Sequence, residues 1–66
     1  MNAKEIGSRL VKLRGGISQA QVAQDIGISR SAVGMYERGQ RIPRDSIKMK
    51  FVKYFNVSVE DIFFAS

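Results

Sequence analysis

Apolar residues recur along this chain at a spacing near 3.6, and the runs between Gly and Pro are too long and too helix-like for strands. The pattern predicts an all-α fold of five short helices. The first runs from about Ala3 to Leu13, with Ala3, Ile6, Leu10 and Leu13 on one stripe, and the Gly15-Gly16 pair ends it. The second begins at Ser18, whose hydroxyl can cap the free N–H groups of the first turn while Gln21, three residues on, reaches back as a capping-box partner. Val22, Ala23 and Ile26 then face inward until Gly27, which can adopt the positive φ of a tight helix end. The third starts at a new cap, Ser29, turns Val33 and Tyr36 inward and stops at Gly39.

A basic loop from Gln40 to Arg44, fixed by Pro43, leads to the fourth helix, with Asp45 or Ser46 as its cap. Ile47, Met49, Phe51, Val52 and Phe55 make that helix broadly apolar, which implies burial on more than one side. Asn56 closes it. Ser58 with Asp61 forms a further cap signal, and Val59, Ile62 and Phe63 share one face of a final short helix. There is no repeat and no low-complexity linker, so residues 1–66 read as a single domain.

Composition narrows the chemistry. With 66 residues and neither Cys nor His, the chain lacks a disulfide framework, a thiolate zinc site and the usual general base. One small core leaves no room for a substrate cleft, and no Ser-Lys or carboxylate pair stands out from ordinary surface charge. The expectation is a non-enzyme without cofactor or metal. Met1 to Leu13 interleaves Lys4, Glu5, Arg9 and Lys12 with its apolar residues, unlike a signal peptide, and nowhere do 18 apolar residues run together. A soluble, cytoplasmic protein with no membrane partner is expected.

Charge is distributed unevenly. Residues 1–44 carry eight Lys or Arg against three acids, whereas residues 45–66 balance three against three. A one-sided positive field suggests a polyanion, most often nucleic acid, although solubility alone would also favour it.

Two caps eleven residues apart with Gly27 between them define two short helices joined by a tight turn. This is the layout of a helix-turn-helix, whose second helix lies in the DNA major groove with its N-terminal residues toward the base edges. Ala23 is small where the helices cross, Gly27 supplies the turn, and Val33 plugs the angle. An ordinary αα-corner accounts for these three features equally well.

The segment 18–39, SQAQVAQDIGISRSAVGMYERG, resembles the Cro/C1-type (XRE) helix-turn-helix family of phage and bacterial repressors. So do its flanks, Ile6-Gly7-x-Arg9-Leu10-x-x-Leu13-Arg14 and Phe55-Asn56-Val57-Ser58-Val59-Glu60-Asp61-Ile62-Phe63. The resemblance covers nearly the whole chain and implies a lambda-repressor-like domain in a bacterial or phage regulator associated with the nucleoid. One departure is the link between Arg14 and Ser18, about two residues shorter than the common family pattern.

By that resemblance, the N-terminus of the second helix touches a phosphate through Ser18 and Gln19, and its free amides and positive dipole end suit an anion. Ser29 caps the third helix beside the same backbone. Arg30, Ser31, Gly34 and Met35 fall at the base-reading positions. Arg30 can grip guanine O6 and N7 with two parallel hydrogen bonds, a phosphate contact being its alternative. Met35 offers an apolar end to a thymine methyl if Val33 and Tyr36 hold the inward face. Gly34, at a helix-propensity cost of about 1 kcal/mol relative to Ala, either lets the helix approach the groove floor or is a tolerated weak spot. Arg38, Gln40, Arg41 and Arg44 fall where the family's loop follows the sugar-phosphate backbone. Glu37 pairs with Arg14 in the family, a salt bridge that would also aim the guanidinium at a phosphate.

Phe63 and Phe64 lie about 100° apart on the last helix, so both cannot face one small core. One of the two rings is therefore a candidate to meet a partner, the alternative being that Phe64 folds back under a frayed end. The resemblance to repressors implies a homodimer through this pair, with two recognition helices about 34 to 36 Å apart on a near-palindromic operator. The leading expectation is a sequence-specific regulator of double-stranded DNA, acting as a repressor without an evident small-molecule effector. An antitoxin-like or adaptor module using another surface of the same fold is the alternative.

Overall fold

Side-chain oxygens start three of the four main helices in the computed structural model, which describes residues 2–64. The Asn2 side chain accepts from the Lys4 and Glu5 amides at 3.0 and 3.1 Å and opens α1 (Ala3–Arg14). Ser18 Oγ accepts from the Gln21 amide at 3.0 Å ahead of α2 (Gln19–Ile26). Ser29 Oγ does the same for the Ala32 amide at 3.0 Å ahead of α3 (Arg30–Glu37). Each bond satisfies an N–H that the helix itself leaves without a partner.

Gly27 ends α2 in the left-handed region at φ 77°, and the amides of Gly27 and Ile28 both donate to the Ala23 carbonyl. That double closure makes the turn into α3 short, as a residue without Cβ allows. Asn56 ends α4 (Asp45–Phe55) in the same region at φ 55°. Ser58 and Asp61 then exchange reciprocal backbone-to-side-chain bonds at 3.2 Å, and a terminal helical turn of π type spans Glu60–Phe64.

The structure corrects three expectations. The Gln21 side chain does not complete a capping box; it donates to Asp25 at 2.7 Å, because a carboxylate one turn away is a stronger partner. Neither Asp45 nor Ser46 caps α4. Arg44 occupies that position without a side-chain cap, and Asp45 sits inside the first turn, where its charge meets the positive end of the helix dipole. Finally, α4 is not buried on more than one side: Phe51 alone is fully buried, Ile47, Val52 and Phe55 are partly covered, and Met49 is 47% exposed. So few residues supply α4 with a single packing face.

The core gathers Ile6 and Leu10 of α1, Val22, Ala23 and Ile26 of α2, Val33 and Tyr36 of α3, Phe51 of α4, and Ile62 and Phe63 of the terminal turn. Tyr36 meets Phe51 edge to face at 6.0 Å between ring centroids. Thus α3 is gripped along its inner side by α1 and α2 while the rest of it stays outside. Among the described residues no helix is long and apolar enough to cross a membrane.

At Gly7 the α1 backbone passes so close to the end of α3 that a Cβ would collide with the carbonyl oxygens of Tyr36 and Glu37. Backbone cannot step aside as a side chain can. Gly7→Ala is expected to lower stability by about 1–3 kcal/mol in thermal unfolding followed by circular dichroism. Gly16→Ala, where a Cβ meets nothing within 4 Å, should leave the melting temperature unchanged or slightly raised.

Candidate nucleic-acid interface

Val33 and Tyr36, 1% and 8% exposed, fix the inner side of α3 and thereby decide what faces solvent. Arg30 and Ser31 project from its exposed first turn, and Met35 is half-buried further along. Arg30 makes no hydrogen bond or ion pair with any described residue. Gly34 is buried, because the Arg38 guanidinium lies over it, held in turn by Gln40 Oε1 at 3.3 Å from Nε and 3.2 Å from Nη2. With Gln19 these residues line one shallow concavity of about 440 Å³. The four positions expected to read bases and three of those expected at the backbone therefore adjoin one another.

Beneath that surface lies a clamp centred on Glu37. Arg14 Nε and Nη2 donate to Glu37 Oε2 and Oε1 at 2.6 and 3.0 Å, a two-pronged pairing of the kind guanidinium geometry favours. Gln19 Nε2 donates to the same Oε1 at 2.7 Å, and Arg14 Nη1 donates to the Ile17 carbonyl at 2.9 Å. The expected Arg14–Glu37 salt bridge is thus present, and Gln19 joins it. The hydrogen bond to Glu37 raises the Arg14 pKa above its ordinary value against the opposing effect of desolvation. Three of its five N–H donors are already committed within the protein. The shortened link from Arg14 to Ser18 is closed by this bond to Ile17 and by the Ile17 amide on the Arg14 carbonyl at 2.9 Å.

Ser18 and Ser29 are exposed while their hydroxyls cap α2 and α3. Arg41 and Arg44 lie exposed in the loop after α3, without a hydrogen bond or ion pair to any described residue. Phe63 is 1% exposed and part of the core, so it offers no surface to a partner, whereas Phe64 is 58% exposed. The two rings separate as their angular offset requires. Lys48 Nζ sits 5.5 Å from the centroid of one ring and 5.7 Å from that of the other.

Several contacts behind the interface went unanticipated. Tyr54 of α4 donates to Asp25 at 2.7 Å, which raises the phenol's pKa, and Lys50 Nζ donates to the Ile26 carbonyl at 3.1 Å. These bonds brace the far side of α2. Arg9 Nη1 donates to the Ile62 carbonyl at 3.0 Å, tying α1 to the terminal turn. Only the Gln19 bond to Glu37 had a sequence signal, namely a polar residue at the start of α2 and a lone acid in a basic surface.

Arg14→Ala would leave the Glu37 carboxylate, 5% exposed, with the Gln19 amide alone. Unfolding in urea is expected to show a loss of about 3 kcal/mol, as for other ion pairs deprived of one buried partner. Replacing both Arg14 and Glu37 by Met should recover part of that loss, since no charge is then stranded.

Comparison with known proteins agrees with this geometry. A family model described as helix-turn-helix matches residues 9–62. An uncharacterized HTH-type transcriptional regulator of Bacillus subtilis (strain 168), YgzD, is 30% identical over 53 residues, 80% of either chain. A second such regulator, from Methanocaldococcus jannaschii, is 34% identical over 47 residues, 71% of either chain. Among solved structures, the restriction-modification controller protein C.AhdI from Aeromonas hydrophila is similar with a TM-score of 0.84 at 33% identity, over 92% of this chain and 96% of that one. The DNA-binding domain of BldD is similar with a TM-score of 0.78 at 26% identity, over 92% of both chains.

Proposed function

Because the chain belongs to the Cro/C1-type (XRE) helix-turn-helix family of DNA-binding transcriptional regulators, we propose that it represses transcription by occupying a near-palindromic operator as a homodimer. In this reading α3 enters the major groove. Arg30 grips a guanine through O6 and N7, Ser31 donates to a neighbouring base or phosphate, and Met35 packs on a thymine methyl. Gly34 lies between them, beneath the Arg38 guanidinium. The α2 N-terminus with Ser18 and Gln19, together with Ser29, Arg41, Arg44 and the uncommitted donors of Arg14, meets the sugar-phosphate backbone and holds register. Neither metal nor cofactor has a part in such a mechanism.

The observation that carries the proposal is the division of α3. Its inner side is locked by Val33 and Tyr36, while Arg30 stands exposed at its first turn without an internal partner. An arginine left so is available for a bidentate contact at little reorganisation cost. Arg30→Ala is expected to cost about 1–3 kcal/mol on the preferred site and to relax specificity at one base position, measured by fluorescence anisotropy against a panel of duplexes. Arg41→Ala should weaken all duplexes about equally and flatten the slope of log affinity against log salt by about 1. A wild-type slope near zero would favour a protein partner over DNA, because counterion release gives about −0.9 per phosphate contacted.

Phe64 supports the dimer reading, being a large exposed apolar side chain at the end of the fold. Phe64→Ala is expected to shift sedimentation toward monomer at concentrations where the wild type is dimeric. Identical monomeric behaviour of both proteins would remove the dimer from the proposal.

A further inference from the structure

Arg30, Gly34 and Arg38 follow one another at intervals of four residues, so they lie along one ridge of α3 and its C-terminal extension. The middle position carries no side chain, and the space is filled from the C-terminal side. A Cβ at residue 34 would stand 2.9 Å from Arg38 Nη1 and 3.6 Å from both Cζ and Nη2. The guanidinium is therefore folded back along the helix, over the middle of the ridge. Gln40 Oε1 engages its Nε and Nη2, which occupies one edge of the fork. Nη1 and the second N–H of Nη2 are left as a parallel pair on the other edge, and both Arg38 and Gln40 line the same concavity as Arg30, Ser31 and Met35.

We infer that Arg38 is a second specificity-determining residue, reading a guanine in the same half-site as the one read by Arg30, and that Gly34 exists to seat its guanidinium. Gln40 is the positioning residue that presents the free edge. This inference rests on the reading of α3 as the helix in the major groove. Folded back, the guanidinium sits over the middle of the α3 ridge, in the concavity that Arg30, Ser31 and Met35 also line. In the folded-back conformation its two free donors match the O6 and N7 acceptors of guanine. Four residues of helix rise separate positions 30 and 34 by roughly 6 Å, so the two arginines address base pairs roughly two steps apart in one half-site.

The test uses duplexes that the wild-type protein selects from a random pool, with every base pair of the half-site then substituted singly. Affinities are measured for wild type, Arg30→Ala, Arg38→Ala, Gly34→Ala and the Gly34→Ala/Arg38→Ala double variant. Arg38→Ala is expected to lose about 5- to 100-fold on the selected site and to become indifferent at one base pair, distinct from the pair affected by Arg30→Ala. Gly34→Ala displaces only the end of a flexible side chain, so the domain should fold, as its circular dichroism melt will report. It should relax preference at the same base pair as Arg38→Ala, and the double variant should be no worse than Arg38→Ala alone.

If Arg38→Ala weakens every duplex by one common factor while Arg30→Ala still relaxes a single position, Arg38 is a backbone contact and the inference falls with the groove reading intact. Additive losses from Gly34→Ala and Arg38→Ala, or losses at different base pairs, would also overturn it. Should the wild type select no sequence at all, both readings fail together.

Discussion

A single carboxylate holds α3 in place. Glu37 is the last residue of α3, is 5% exposed, and receives three hydrogen bonds from Arg14 at the end of α1 and Gln19 at the start of α2. A charge so nearly excluded from water is tolerable only if its lone pairs are filled and an opposite charge lies close. Meeting that demand brings three helix ends to one point. Gly7 adds a steric counterpart, since its missing side chain lets α1 rest on the Tyr36 and Glu37 carbonyls. Polar and packing constraints thus converge on the exit of the same helix whose entrance carries Arg30, and an eight-residue rod fixed at one end and along its inner side has little freedom left.

How much of this was visible beforehand depends on the range of the interaction. Caps are local, and Ser18, Ser29, Gly27, Asn56 and the Ser58–Asp61 pair behave as their neighbours in sequence suggest. The inward pair Val33 and Tyr36 follows from periodicity alone, and with it the outward side of α3. Local rules failed where two acceptors competed, as for the Gln21 side chain, and where a helix began without a capping oxygen, as at Arg44. The one-sided burial of α4 could not be read from its apolar content, because coverage depends on how many neighbours a small fold can provide. The Arg14–Glu37 pair was legible through family resemblance and not through spacing. Placement of Arg38 over Gly34 was legible through neither, since it depends on the path of a long side chain after the helix has ended.

Basic residues in this chain serve two different ends, and net charge does not separate them. Arg14 spends most of its donors inside the protein, Arg9 bonds the Ile62 carbonyl, and Lys50 bonds the Ile26 carbonyl. Each of these cations secures one element to another. Arg30, Arg41 and Arg44 make no such bond with any described residue and lie exposed. The surplus charge of residues 1–44 is therefore partly structural scaffolding and partly a field directed outward, the second fraction being concentrated on α3 and the loop that leaves it.

The terminal turn has an implication for the order of events in biosynthesis. Ile62 and Phe63, 0% and 1% exposed, complete the same core that grips α3, and Arg9 reaches across 53 positions to the Ile62 carbonyl. A ribosome extends the chain at about 5–20 residues per second, so α3 is made some seconds or less before the residues that close the core around it. Until they arrive, α1 lacks the part of its cover that this last turn supplies. The nascent polypeptide consequently carries a finished α3 on an unfinished support, and rigidity reaches that helix only once Ile62 and Phe63 have been added and have packed.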